Sequence, residues 1–191
     1  MTRLKFATVW LGGCSGCHMS FLDLDEWLFE LVNQVDVVYS PFADIKTYPE
    51  GVDVVLVEGA IANQDHLETI HRVRDRTQYL VSFGDCAVTG NVTAMRNTLG
   101  NPIDGPIGNP SGNAEAVLNR AYLETATQPQ HPGGDLVPAL LDRVLPVHQV
   151  VPVDCYLPGC PPDAERIKAV LAPLLKGERP VMTGPKMIQF G

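Results

Sequence analysis

Val52-Asp53-Val54-Val55-Leu56-Val57-Glu58, entered through Gly51, decides the fold. Apolar β-branched residues and leucine fill it almost without alternation, so it reads as a strand buried on both faces. Strands of that kind belong to parallel sheets covered by helices on either side. Upstream, Leu4–Trp10 is a second short apolar strand, and Asp36–Tyr39 a third, ended by Ser40-Pro41. From Ser20 the period changes, and Phe21, Leu24, Leu28, Leu31 and Val32 share one face of a single helix. Downstream, Gln64–Arg76 reads as a helix with Leu67, Ile70 and Val73 inward and arginines at its C-terminal end, where the helix dipole favours them. Gln78–Phe83 is the next strand.

The second half is less regular. Residues 97–113 are crowded with glycine, proline and asparagine and read as loop. A helix is expected over Ala114–Thr125, a loop over Gln128–Gly134, a short helical stretch near Leu136–Val144, and the last strand at His148–Val153. Pro161-Pro162 suits the start of a final helix, with Ala164, Ile167, Val170, Leu171 and Leu174 on one face and Gly177 as its stop. Strands alternating with helices, with no repeat and no linker, predict one α/β domain over residues 1–191. The expected form is a flavodoxin-like doubly wound parallel sheet in a three-layer sandwich, its strand order left open.

Composition narrows the function. The chain has 191 residues, 45% apolar and 19% charged, with net charge −8. That is ordinary globular composition, without the basic runs that nucleic acid or an anionic membrane attracts. No stretch approaches the roughly 18 apolar residues of a membrane span, so no membrane insertion is expected. The N-terminus runs straight into a strand, with no signal-peptide core and no twin arginine, so the expected location is the cytoplasm. Five cysteines are an odd number, and in a reducing compartment they favour metal ligation over disulfides.

Four of the five sit where this topology gathers ligands. Cys14 and Cys17 follow the first strand, Cys86 follows the strand at 78–83, and Cys160 follows the last strand. In a parallel sheet those loops all leave at the carboxyl edge, the usual binding edge. Gly12, Gly13, Gly16, Gly84 and Gly159 flank them and let backbone approach a bulky group. Following helices would direct positive ends at the thiolates and lower their pKa. Zinc is the rival occupant, but structural zinc ligands usually come as two close pairs. One pair and two singletons fit an iron–sulfur cluster better.

Cys14-Ser15-Gly16-Cys17, Gly84-Asp85-Cys86-Ala87 and Pro158-Gly159-Cys160-Pro161-Pro162, in that order, resemble the small subunit of nickel–iron hydrogenases, and Val57-Glu58-Gly59-Ala60 matches that family's acidic turn. The resemblance runs from Leu4 to about Leu175. It implies that Cys14, Cys17, Cys86 and Cys160 ligate one proximal 4Fe-4S cluster. With no cysteine after Cys160, the chain is similar to the short, single-cluster type of cytoplasmic NAD-reducing hydrogenases. The cluster-bearing complex I subunit is related, but typically has adjacent cysteines at its first motif. The implied role is electron transfer between the nickel–iron site of a large subunit and flavin/iron–sulfur diaphorase subunits that handle NAD. An FMN-binding redox protein and a complex I-like quinone oxidoreductase subunit are the alternatives, and FMN is a second candidate cofactor without a motif of its own.

Other residues carry plainer expectations. Cys155 lacks the glycine and proline context and reads as a core thiol. His18 reads as a first-turn helix residue, with a hydrogen bond to a cluster sulfur as its functional alternative. Glu58 is open between a buried functional carboxylate and an exposed strand-end one. His66, His71, His131 and His148 show no ligand spacing. Phe21, Trp27, Leu28 and Phe29 exceed what one helix face can bury, so the surplus is core or partner surface.

Overall fold

The computed structural model describes residues 3–98, 113–130 and 137–191. The 97–113 and Gln128–Gly134 loops lie largely outside them, as does His131. The elements run β1 (Leu4–Trp10), α1 (Gly16–Leu22), α2 (Trp27–Gln34), β2 (Val35–Tyr39), β3 (Val52–Glu58), β4 (Ile61–Asn63), α3 (Gln64–Asp75), β5 (Thr77–Phe83), α4 (Asp85–Thr89), α5 (Asn91–Ala94), α6 (Asn113–Asn119), β6 (Leu140–Leu145), β7 (Cys155–Leu157) and α7 (Ala164–Leu174). Five strands form one sheet in the order β2-β1-β3-β5-β7, every neighbouring pair parallel. This is the doubly wound order of flavodoxin-like folds, with its switch point between β1 and β3.

β3 is central and behaves as its sequence demands. Val54 and Leu56 face one core with Phe6, Val81, Phe83, Leu31, Ile167 and Leu171. Val55 and Val57 face the other, with Val9, Ile70, Val73 and Leu80. Alternate residues of one strand thus feed two hydrophobic layers, and helices cover both. Leu56 is fully buried. Leu56→Ala is expected to remove about 3 kcal/mol of stability and, at this size, lower the melting temperature by roughly 6–12 °C. Val32→Ala, on an exposed helix face, should stay within about 0.5 kcal/mol. Calorimetry of the two variants measures both.

Four expectations are corrected. The single helix from Ser20 is two, α1 and α2, because Asp25 takes a positive φ of 48° and i→i+3 turns replace the helical ladder at Leu24, Asp25 and Trp27. Aspartate tolerates that conformation, and the bend lets Leu24, Trp27 and Leu31 all reach the core.

The stretch near Leu136–Val144 is not helical where described; it holds β6, antiparallel to β4. Side chains satisfy the backbone that a helix would otherwise satisfy. Asn97 bonds both the N–H and the carbonyl of Val144 at 2.8 Å, and Arg96 donates to the carbonyls of Leu141 and Ala62.

The last strand is β7, not His148–Val153. Val147–Gln149 is a single 3-10 turn, and only beyond Pro152, which has no N–H to give a ladder, does the chain join β5. There the Asp154 carboxylate accepts from Leu80 N–H (2.8 Å) and from Arg74 (2.6 Å).

The final helix also starts later than Pro161-Pro162: Asp163 is its N-cap, accepting from Arg166 N–H at 2.9 Å. Among the described residues no helix is long and apolar enough to cross a membrane.

Candidate metal centre

The carboxyl ends of β1, β5 and β7 carry the four cysteines to one place. A cavity of about 60 Å³ is lined by Cys14, Gly16, Cys17, Glu58, Asp85, Cys86, Gly159, Cys160 and Pro161. All four predicted cysteines therefore border one space, drawn from three loops distant in sequence. Cys17 and Cys86 are buried, Cys14 and Cys160 exposed. Cys155, the fifth, lies in β7 within the core and does not line the cavity.

Backbone hydrogen bonds lock the loops together. The loop after β1 is tied to that after β3 by Leu11 N–H to Glu58 O (2.8 Å) and by reciprocal bonds between Gly12 and Ala60. The Cys86 loop is tied to the Cys160 loop by Gly84 N–H to Leu157 O and Asp85 N–H to Gly159 O, while the Asp85 carboxylate accepts from Gly159 N–H at 2.5 Å. Ser20 in α1 donates to the carbonyl of Pro162 (2.6 Å), joining the first and last motifs.

Glycine is required at positions 84 and 59, among others. Gly84 has φ +83°, and a Cβ there would stand 2.1 Å from Cys17 Sγ. Gly59 has φ +93°, and its Cβ would meet the Leu11–Gly12 backbone at 2.8 Å.

Thiols share the cavity wall with the carboxyl side chains of Glu58 and Asp85. Burial pushes the Cys17 thiol well up, helped by the charges of Glu58, Cys86, Cys14 and Cys160. Cys86 is raised first by burial and then by Cys14, Cys160 and Glu58, against a hydrogen bond from Thr93. Sulfurs that raise one another's pKa repel as bare thiolates, so the set calls for a cationic centre between them. Further donors already point at sulfur: Gly16 N–H toward Cys14 (3.4 Å) and Asn91 Nδ2 toward Cys160 (3.4 Å). Among the described residues, no three cysteine, histidine, aspartate or glutamate side chains sit close enough to share a single metal ion. One close pair and two separate cysteines on three loops are the kind of donor set an iron–sulfur group takes, rather than the two close pairs usual at structural zinc.

Glu58 is not an exposed strand-end carboxylate. It is buried on the cavity wall, accepts from His18 N–H at 2.9 Å and pairs with His18 Nδ1. His18, next to Cys17, is buried as well, and its Nε2 has no partner among the described residues. The spacing of the histidine and the acid gives no signal of this pairing, which depends on β1 and β3 being neighbours. His66 is a helix-start residue whose backbone N–H is capped by Asn63, and burial lowers its pKa. His71 and His148 are exposed. Trp10, whose indole donates to Gly13 O, Met19 and Phe42 are exposed large apolar side chains, the last packed on His18.

The Cys155 thiol is pushed up to about 11, chiefly by burial and secondarily by Asp154, against a hydrogen bond from Tyr79. The folded protein then holds a proton between the ordinary thiol pKa and about 11 that the unfolded chain releases, so folding stability falls as pH rises through that window. Denaturation midpoints from pH 8 to 11 should drop more steeply for wild type than for Cys155→Ala.

Comparison with known proteins agrees with this architecture. The family model for the NADH ubiquinone oxidoreductase 20 kDa subunit matches residues 14–174. The delta subunit of the NAD-reducing hydrogenase HoxS of Cupriavidus necator is 38% identical over 92% of this chain and 80% of its own length. One subunit of the F420-non-reducing hydrogenase of Methanothermobacter marburgensis is 35% identical over 92% of this chain, which spans only 54% of that relative. A crystal structure of NAD+-reducing [NiFe]-hydrogenase in the H2-reduced state superposes with TM-score 0.86 at 35% identity, each chain fully covered. The family match begins at the first cysteine of the loop after β1 and ends with α7, so it takes in every residue that lines the cavity; the chain belongs to the NADH ubiquinone oxidoreductase 20 kDa subunit family, alongside subunits of hydrogenases.

Proposed function

We propose that this chain is the electron-transfer small subunit of an NAD-linked nickel–iron hydrogenase. On this reading one domain carries a single 4Fe-4S cluster held by Cys14, Cys17, Cys86 and Cys160. The observation that carries it is the convergence of those four cysteines, from three separate loops, on one cavity. When bound, such a cluster takes and gives single electrons between the hydrogen-splitting site of a large subunit and a flavin/NAD module. The chain's own work is positional. Gly84 and Gly16 let sulfur and backbone close on the group, the Asp85 bond to Gly159 N–H fixes the distance between two of the loops, and the Gly16 and Asn91 donors offset thiolate charge. The exposed Trp10, Met19 and Phe42 offer apolar surface to a large subunit.

Metal and sulfide analysis of the purified protein tests this. About four iron and four acid-labile sulfide per chain, with a nickel-containing partner co-eluting, is the expected result. Zinc without iron sinks the reading. Quinone-dependent turnover with no nickel partner would instead favour the complex I-like alternative that the family name raises. Release of FMN from sulfide-free protein would favour the flavin-binding alternative.

A further inference from the structure

Arg166 lies in the first turn of α7, and its side chain is buried, with 8% of the residue exposed. Its Nη2 donates to the carbonyls of Pro158, Met187 and Gln189. Its Nε has no partner, and no carboxylate lies within ion-pair distance of the guanidinium, among the described residues. A permanently charged group is thus largely buried, with one nitrogen on three carbonyls and another buried without a partner. That arrangement is unfavourable unless negative charge stands close by.

The negative charge is available one loop away. Pro158 is two residues before Cys160, so the guanidinium is hydrogen-bonded into the loop that presents the fourth sulfur. The chain segment gripped by Arg166 at Met187 and Gln189 continues to Gly191, whose N–H reaches the Asp85 carboxylate at 3.1 Å. Space at Gly191 is so tight that a Cβ there would meet the Cys160 backbone nitrogen at 2.3 Å. One side chain therefore fixes the Cys160 loop and the segment lying against it, and brings a positive charge to both.

We propose that Arg166 is a positioning residue that sets the reduction potential of the centre. It acts as the internal counter-cation of the sulfur set and as the clamp on the Cys160 loop. The proposal rests on the reading that Cys14, Cys17, Cys86 and Cys160 hold an iron–sulfur cluster. An electron arriving there adds one negative charge, with no bond made or broken, and a fixed cation nearby favours the reduced state. Arginine fits the clamp because its planar fork serves several carbonyls at once. Lysine would keep the charge and lose the fork.

The test is a redox titration, followed by electron paramagnetic resonance, on the intact purified protein with its bound partners. Wild type, Arg166→Gln and Arg166→Lys are compared, with iron and sulfide counted on each. In Arg166→Gln the ratio of reduced to oxidised cluster at a fixed potential should fall about tenfold, a shift of about 59 mV to more negative values for one electron. Arg166→Lys should lie much nearer wild type. If Gln fails to hold a cluster and Lys holds one, charge is again the requirement and the proposal stands. Full clusters in both variants with unchanged potentials overturn it. Equal loss of the cluster in both overturns it too, because shape alone would then explain the residue. Wild-type protein without iron removes the cluster reading itself, and this inference with it.

Discussion

Cys86→Ser is expected to yield protein with fewer than four iron and four sulfide per chain and with hydrogen-dependent NAD reduction lowered more than about 100-fold. Loss of an outer-shell partner already costs about 10–100-fold at metal sites, and the loss of a ligand should exceed it. Cys86 is the sole cysteine of its loop, on the cavity wall between the Cys14/Cys17 pair and Cys160. No other thiol can replace it, since Cys155 lies in the core away from the cavity. Cys155→Ser therefore serves as the control and should keep its iron. Nickel in the partner should persist in Cys86→Ser, because the change is confined to this chain. Unaltered turnover would strike Cys86 from the ligand set.

Gly84→Ala should be nearly as damaging, for a different reason. Gly84 has φ 83° and ψ 162°, a region essentially reserved for glycine, where another residue stores about 1–3 kcal/mol of strain. Its new methyl would also stand 2.1 Å from Cys17 Sγ, far inside contact distance. Relief requires moving Cys17 or opening the Gly84–Leu157 and Asp85–Gly159 bonds. Iron content should fall by at least half and the melting temperature should drop. Gly177→Ala makes the comparison informative: Gly177 also has positive φ, yet nothing lies within 4 Å of its Cβ position. It should show the strain cost without the loss of iron. Equal iron in the two variants would mean that the contact with Cys17 does not matter.

Residues that repeat a strong local signal were legible without coordinates. β1, β3, α3 and β5 fall within a residue or so of where periodicity puts them, and the cysteine loops follow strands of one parallel sheet, as their glycines suggest. What stayed hidden depended on distant partners. β7 is three residues long and is defined by its pairing with β5, so no window of local pattern marks it. β6 contains enough leucine and valine to pass for a helix, and only Ile61–Asn63, with the side chains of Asn97 and Arg96, makes it a strand. The burial of Glu58 against His18 follows from β1 and β3 lying side by side, which the sequence does not spell out. Arg166 reads as one more charged residue of an amphipathic helix until its three carbonyl partners are seen.

The short β7 has one further consequence, for biogenesis. A ribosome releases β1, β3 and β5 long before it reaches residue 155, so a nascent chain can assemble most of the sheet while the Cys160 loop is still being made. The enclosure is completed only when this three-residue edge docks on β5. The cavity can be finished only after the Cys160 loop has been made, and a polypeptide cut before that edge is left without a finished pocket.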